Sequence, residues 1–189
     1  MSDPTPFANR EALENWLAAN HARETELVVL LYKIKSGVPS ITWDDLVEAC
    51  LCWGWIDGIK RSVDEASYTQ RITPRNPRSI WSRRNVGLVE RLTAEGRMQP
   101  AGMAHVDAAK ADGRWEVAYA GPKDATIPPD FFLALDAVLA ARATFDALPK
   151  RWHYSIYHDL HSAKKSETRA NRMARMIARL AEGLPPVNR

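Results

Sequence analysis

The chain has 189 residues, of which 46% are hydrophobic, and a formal net charge of +3. That length buries a full core without disulfides or metals, and so small a charge removes nucleic acid as the default partner. The opening stretch MSDPTPFANREALENW has neither a basic n-region nor an apolar h-region, and the longest strongly apolar run, LVVLLY at 27–32, is far too short to cross a bilayer.

The first predicted helix starts after Asn9, a good N-cap, and puts Leu13, Trp16 and Leu17 on one face. LVVLLYKI at 27–34 is β-branched and apolar without alternation, which predicts a buried strand, and SGVPS at 36–40 ends it. Thr42 with Asp45 three residues on, and Ile41 with Leu46, sign the start of a second helix. That helix turns Cys50 and Cys52 apart, which argues against a Cys-x-Cys chelate, and the cysteine pattern fits a reducing cytoplasm.

From Trp55 the period changes to two, so Trp55, Asp57, Ile59, Arg61 and Val63 are expected on one strand face. DEAS at 64–67 is a turn, and YTQRITPR returns as a second strand. Closing the hairpin there pairs Ile59 with Ile72 and Val63 with Tyr68, and sets Lys60 opposite Arg71 and Ile56 opposite Arg75 on the other face. Like charges so placed repel, so that face calls for an anion or a carboxylate to cover it.

Pro74 and Pro77 end the sheet, a helix runs over about 82–95 with Gly96 at its C′ position, and Pro100 opens another that ends near Gly113. YAGPKDATIPPD is a hinge-like connection. Beyond it FFLALDAVLAARATFDAL reads as one helix or two short ones, and a long helix over about 162–182 is expected to bury Ala170, Met173, Ile177 and Leu180. The predicted fold is α+β, a small and mainly antiparallel sheet (27–34, 55–63, 68–75) covered by helices. A core domain over 1–121 is followed by a helical region over 122–189 packed on it.

Phosphate-cradling glycine loops, a GxSxG elbow, HExxH and CxxC are all missing, so no cofactor and no metal is expected. His153, His158 and His161 cluster, but they lack a further fixed donor and read better as surface histidines beside Asp159. Trp16, Trp43 and Trp115 lie in apolar-patterned segments and are expected to pack in the core. The strongest constellation is 53–85. Asp57 sits on an expected buried face and needs a partner there, which a nearby arginine can supply. Either that pair locks a loop, or the stretch forms a pocket for a small anion.

The motifs CWGWIDG (52–58), RITPRNPRSIWSRRN (71–85), GRMQPAG (96–102) and GRWEVAY (113–119), with AKKSETRANRMARMIARLAEG (163–183), resemble those of the YdeI/OmpD-associated family, also called bacteriocin-protection proteins. The resemblance runs from about Thr42 to Gly183 and implies a role in tolerance of bacteriocins or antimicrobial peptides and association with an outer-membrane porin. It carries no reaction, cofactor or catalytic residue. The motif positions that carry over are Gly54, Trp55, Asp57, Gly58, Arg71, Pro74, Arg75, Ser79, Trp81, Ser82 and Asn85.

The expected function is a non-catalytic binding protein with a pocket for a small anionic ligand. Lys60, Arg71, Arg75 and Arg78 supply the charge, Trp55 and Trp81 the walls, Ser82 and Asn85 polar selection, and Asp57 orients an arginine. The alternatives are an enzyme using Asp57 as general acid or base, and nucleic-acid binding through the cations of the last helix, Lys165, Arg169, Arg172, Arg175 and Arg179.

Overall fold

The computed structural model describes residues 3–187 and divides into two compact units, 1–118 and 119–189. The N-terminal unit contains β1 (Thr5–Pro6), α1 (Arg10–Asn20), β2 (Leu27–Tyr32), α2 (Trp43–Cys52), β3 (Trp55–Ser62), β4 (Ser67–Pro74), α3 (Arg83–Ala94) and α4 (Pro100–Ala111). The C-terminal unit is helical, with α5 (Pro129–Asp136), α6 (Leu139–Asp146), α7 (Arg151–His161) and α8 (Ser166–Ala181). The α+β class read from the sequence is the one observed.

The sheet has the order β1-β2-β4-β3, with β1 parallel to β2 and the other pairs antiparallel. The cap residues act as their chemistry dictates. Asn9 accepts from Ala12 N at 3.0 Å, and Thr42 and Asp45 form a reciprocal capping box. In the 64–67 turn Asp64 Oδ1 accepts from Ala66 N at 2.8 Å and Ser67 N at 2.7 Å.

The hairpin register differs from the expected one. Asp57, not Ile59, stands opposite Ile72, and Lys60 stands opposite Gln70 rather than Arg71. Between them Gly58 and Ile59 face the single residue Arg71, a β-bulge that shifts the alternation of β3 by one residue. Trp55 and Asp57 therefore share the helix-covered face with Ile72, whereas Ile59 and Arg61 turn to the opposite face. Ile59 and Val63 are 57% and 56% exposed, so the expected single face does not exist. Gln70 Nε2 donates to Gly58 O at 2.8 Å and satisfies the carbonyl at the bulge.

The helix-covered face packs Leu27, Val29, Leu31 and Ile72 against Leu13 and Leu17 of α1 and Leu46 and Val47 of α2. Trp55 is buried, its ring edge-on to Trp16 with centroids 5.8 Å apart, and its Nε1 donates to His21 O at 3.2 Å. Ionic ties join the helices. Arg97 reaches Glu48 at 2.8 Å, Glu14 at 3.1 Å and Glu95 at 3.2 Å, and Arg91 also bonds Glu48.

The stretch CWGW carries the tightest packing. α2 ends at Cys52, Trp53 caps it, and Gly54 takes φ +72°, the left-handed turn that aims Trp55 into the sheet. α4 lies directly on this junction. Gln99 N donates to Cys52 O at 3.1 Å, and a Cβ at Gly102 would collide with the backbone carbonyls of Leu51 and Cys52. A Cβ at Gly54 would stand 2.7 Å from Ala101 O.

The C-terminal unit has its own core of Phe131, Leu135, Phe145, Ile156, Leu160, Met176 and Leu180. The segment that reads as one helix or two is two, α5 and α6. On α8, Met176 takes the buried position expected of Ala170, which is exposed, because the apolar stripe runs 173, 176, 177, 180.

Gly102→Ala is expected to lower the unfolding free energy by about 3 kcal/mol or more, since backbone rather than a flexible side chain must yield. Gly87→Ala in α3, where a Cβ meets nothing within 4 Å, is expected to raise it by about 0.5–1 kcal/mol. Urea denaturation of the two variants checks both signs.

Candidate functional site

The residues expected to line one pocket are placed in several separate settings. Arg71 is on the open face of the sheet, where Glu26 Oε2 accepts from its Nε at 2.5 Å, so a carboxylate of the chain itself covers this charge. Lys60 is on the edge strand with its Nζ 3.9 Å from the Tyr68 ring centroid. Arg78 is exposed in the loop after β4, where its backbone N–H donates to Asn76 Oδ1. Ser82 caps α3 by accepting from Asn85 N at 3.1 Å. Trp55 belongs to the core.

Arg75 and Trp81 do meet. The Arg75 guanidinium lies 3.8 Å from the Trp81 ring centroid, both residues are buried, and Arg75 Nη2 donates to Ile80 O at 2.9 Å. Two neighbours outside the expected set complete this group. Arg114 is buried, bonds Asp112 through Nε and donates to Ser79 O at 2.7 Å, and Trp115 packs edge-on to Trp81 at 4.9 Å. Both arginines thus hold the carbonyls of the 75–81 loop, so this cluster is a clamp on the proline-rich segment. No sequence signal linked Arg114 to Arg75, since 39 residues separate them.

Asp57 is half-buried. Its partner is not an arginine: Oδ2 accepts from Trp43 Nε1 at 3.2 Å. Trp43, expected in the core, is 39% exposed at the first position of α2, with Arg84 4.6 Å over its ring and bonded to Asp44 at 2.8 Å.

Cys50 and Cys52 are both buried. Burial, joined by the Asp57 charge, pushes the Cys50 thiol well above its ordinary range, and burial pushes Cys52 up to about 11. Both stay protonated and unreactive near neutral pH. In the C-terminal unit His153 stacks on Phe145 at 4.8 Å, His158 meets Tyr119 at 5.0 Å and His161 stacks on Tyr157 at 5.4 Å. Among the described residues no three His, Cys, Asp or Glu side chains gather as a metal-ligand group. The cations of the last helix are largely engaged: Arg169 forks onto Asp130, Arg172 bonds Asp159 O and Ser162 Oγ, and Arg179 bonds Pro185 O. Among the described residues no helix is long and apolar enough to cross a membrane.

A cavity of about 620 Å³ opens on the face of the sheet that the bulge exposes. Its wall is Val28, Ile59 and Thr69, with Pro4 from the N-terminal segment, and its charged groups are Arg61, Arg71, Glu26 and Asp3. The register builds it: Arg61 stands opposite Thr69, and Arg71 stands opposite Val28 on one side and the bulge on the other. Of the residues expected to bind a ligand, Arg71 alone lines it. Ile59 and Arg61 enter it through the bulge at Gly58 and Ile59. A glycine inside a strand pattern is the one signal in the sequence that pointed there.

His105 on α4 is half-buried, its Cδ2 2.9 Å from where a Gly54 Cβ would stand. Burial, then the charges of Arg75 and Arg114, hold its imidazole below the ordinary range. The unfolded chain therefore binds the proton first as pH falls through about 6.5, and the folded state loses stability from there down to the depressed folded value. His105→Gln is expected to lose less unfolding free energy than the parent between about pH 7.5 and about pH 5.5 in urea titrations. Equal losses would contradict that placement.

Comparison with known families divides the chain much as its fold does. Residues 5–105 match the model described as Domain of unknown function (DUF8412), and residues 124–183 match the one described as Bacteriocin-protection, YdeI or OmpD-Associated. No curated protein and no solved structure matches the chain. The YdeI/OmpD-associated likeness thus rests on the C-terminal segment that includes the closing helix, whereas CWGWIDG, RITPRNPRSIWSRRN and GRMQPAG fall within the span of the other model. The chain belongs to the DUF8412 family through more than half of its length, and over residues 124–183 it carries a segment of the bacteriocin-protection, YdeI or OmpD-associated family.

Proposed function

We propose that the N-terminal unit is a non-catalytic binding module that takes a small amphipathic anion on the open face of the sheet. The observation that carries this reading is the cavity of about 620 Å³ with an apolar wall and two arginines at its rim. That size and that lining are those of small-molecule sites, in which a few polar groups orient a mostly apolar ligand.

The two arginines have different parts. Arg71 is held by Glu26, so its charge is largely answered. Among the described residues the Arg61 side chain has no ion pair, and it is the group that meets the carboxylate or phosphate of the ligand. Val28 and Ile59 receive the hydrocarbon part. The reading keeps the anionic ligand class expected from the sequence and moves its site from the 75–85 loop to the bulged face.

Octanoate is the probe. It is expected to raise the melting temperature of the protein by mass action, whereas octanol and inorganic phosphate, each with half of the recognised chemistry, leave it unchanged. Arg61→Gln is expected to remove the octanoate shift while keeping the unliganded melting temperature. An equal shift with octanol, or an undiminished one in Arg61→Gln, would overturn the assignment.

A further inference from the structure

The two edges of the sheet are built differently. On one side β1 has two residues, Thr5 and Pro6, and Pro6 has no N–H to offer a further strand. On the other side β3 runs for eight residues, and from Gly58 to Ser62 it is exposed. Val63 N donates to Ser67 O at 3.2 Å, which extends the register through Ser62–Tyr68, Arg61–Thr69 and Lys60–Gln70. Bonded and non-bonded pairs alternate along an antiparallel ladder. Arg61 therefore bonds Thr69, whereas the backbone N–H and C=O groups of Lys60 and Ser62 point away from β4. Among the described residues no strand pairs with them on that side.

The side chains along this edge alternate in face but not in sign. Ile59 and Arg61 are on the open face, and Lys60 is on the other, with its Nζ over the Tyr68 ring. No acid stands between Gly58 and Val63, and the next one, Asp64, has its Oδ1 committed to the amides of Ala66 and Ser67. Neither Lys60 nor Arg61 has an ion pair among the described residues. This charge bars a second copy of the chain. Antiparallel pairing about a two-fold axis at Lys60 or Arg61 sets identical cations opposite each other, which repel. It does not bar a strand of opposite charge.

We propose that the β3 edge takes an acidic, extended peptide of a partner protein as a fifth strand of the sheet. The peptide backbone exchanges hydrogen bonds with Lys60 and Ser62. Adjacent carboxylates, one on each face, stand opposite Lys60 and Arg61, and β-branched residues stand opposite Ile59 and Val63, both of which are exposed. Read antiparallel to β3, from Val63 to Ile59, the pattern is apolar, polar, acid, acid, apolar. The inference shares Arg61 with the proposed function. Lys60 and the free backbone groups do not belong to the open-face cavity, so the two readings can fail separately.

The test is a nitrogen-15 NMR titration of the full chain with the peptide acetyl-Ser-Val-Thr-Glu-Glu-Val-Ser-amide. It is expected to bind with a Kd of about 1 mM or tighter and to slow hydrogen exchange at the amides of Lys60 and Ser62. The same peptide with lysine for both glutamates is expected to bind about tenfold more weakly or worse. N-methylation of the threonine and the second glutamate removes the donors that face β3 and is expected to abolish binding. N-methylation of the first glutamate and the last valine, whose amides face away, is expected to be tolerated. Lys60→Glu is expected to lose the glutamate peptide and to bind the version with lysine at the second glutamate. The Lys60 side chain is exposed, so that variant keeps its fold, and an unchanged spectrum away from β3 verifies this. Four results would overturn the proposal: unchanged exchange at Lys60 and Ser62 with the peptide, equal binding of the lysine peptide, binding indifferent to which amides are methylated, or slowing at Lys60 and Ser62 with rising protein concentration alone, which would give the edge to a second copy.

Discussion

The backbone-to-backbone crossing of α4 over the end of α2 is the constraint on which the N-terminal unit depends. Gly102 lets the two backbones touch, Gly54 takes the left-handed turn beneath, and the carbonyls of the junction are used in pairs. Cys52 O receives Gln99 N, and Gly54 O receives Arg75 N at 2.9 Å. The first bond ties α4 to α2, and the second ties the start of β3 to the end of β4. With both in place, Trp55 can only enter the core, and the phase of β3 is set from its first residue. The bulge at Gly58 and Ile59 then reverses that phase halfway along, which is why the far half of β3 presents Ile59 and Arg61 to the open face.

The arginine richness that draws attention in the sequence is largely architectural. Arg75 and Arg114 bind the carbonyls of a proline-interrupted loop that cannot complete its own hydrogen bonds. Arg84 ties α3 to Trp43 and Asp44 of α2. Burial opposes the charge on Arg97, yet its bonds to Glu48, Glu14 and Glu95 more than offset this, so it stays ionised and joins three helices. The same two-way balance keeps Glu48 below its usual range: burial raises its affinity for the proton, and the bonds to Arg97 and Arg91 outweigh that. Among the described residues the guanidinium of Arg61, like those of Arg78 and Arg83, has no ion pair, and of these three Arg61 lines the open-face cavity.

Much of the scaffold was legible from local chemistry. Asn9, Thr42 with Asp45, the 64–67 turn, Ser82, Gly96 and Pro100 each mark a boundary, because caps and turns depend on residues near in sequence. The hairpin register was not legible, because cross-strand pairing of Ile59 with Ile72 looks as favourable on paper as the observed pairing of Asp57 with Ile72. Only the buried Gln70 side chain, reaching Gly58 O, and the packing of Trp55 decide between them. Trp43 was misplaced for a related reason. An indole at the first turn of an amphipathic helix packs inward by pattern, yet here Asp57 and Arg84 hold it at the surface. Of the residues that line the open-face cavity, Arg71 was among those singled out in the sequence, whereas Arg61 and Ile59 were not, since both turn outward only through the bulge.

Native-state hydrogen exchange at Gln99 and Arg75, the two amides bonded to the carbonyls of the junction, tests the governing role of that crossing most directly. If the crossing organises the unit, these amides open only when the unit unfolds, with protection equal to that of the central strand amides of Val29 and Gln70. Exchange of Gln99 and Arg75 through a smaller opening, while Val29 and Gln70 remain protected, would contradict the account.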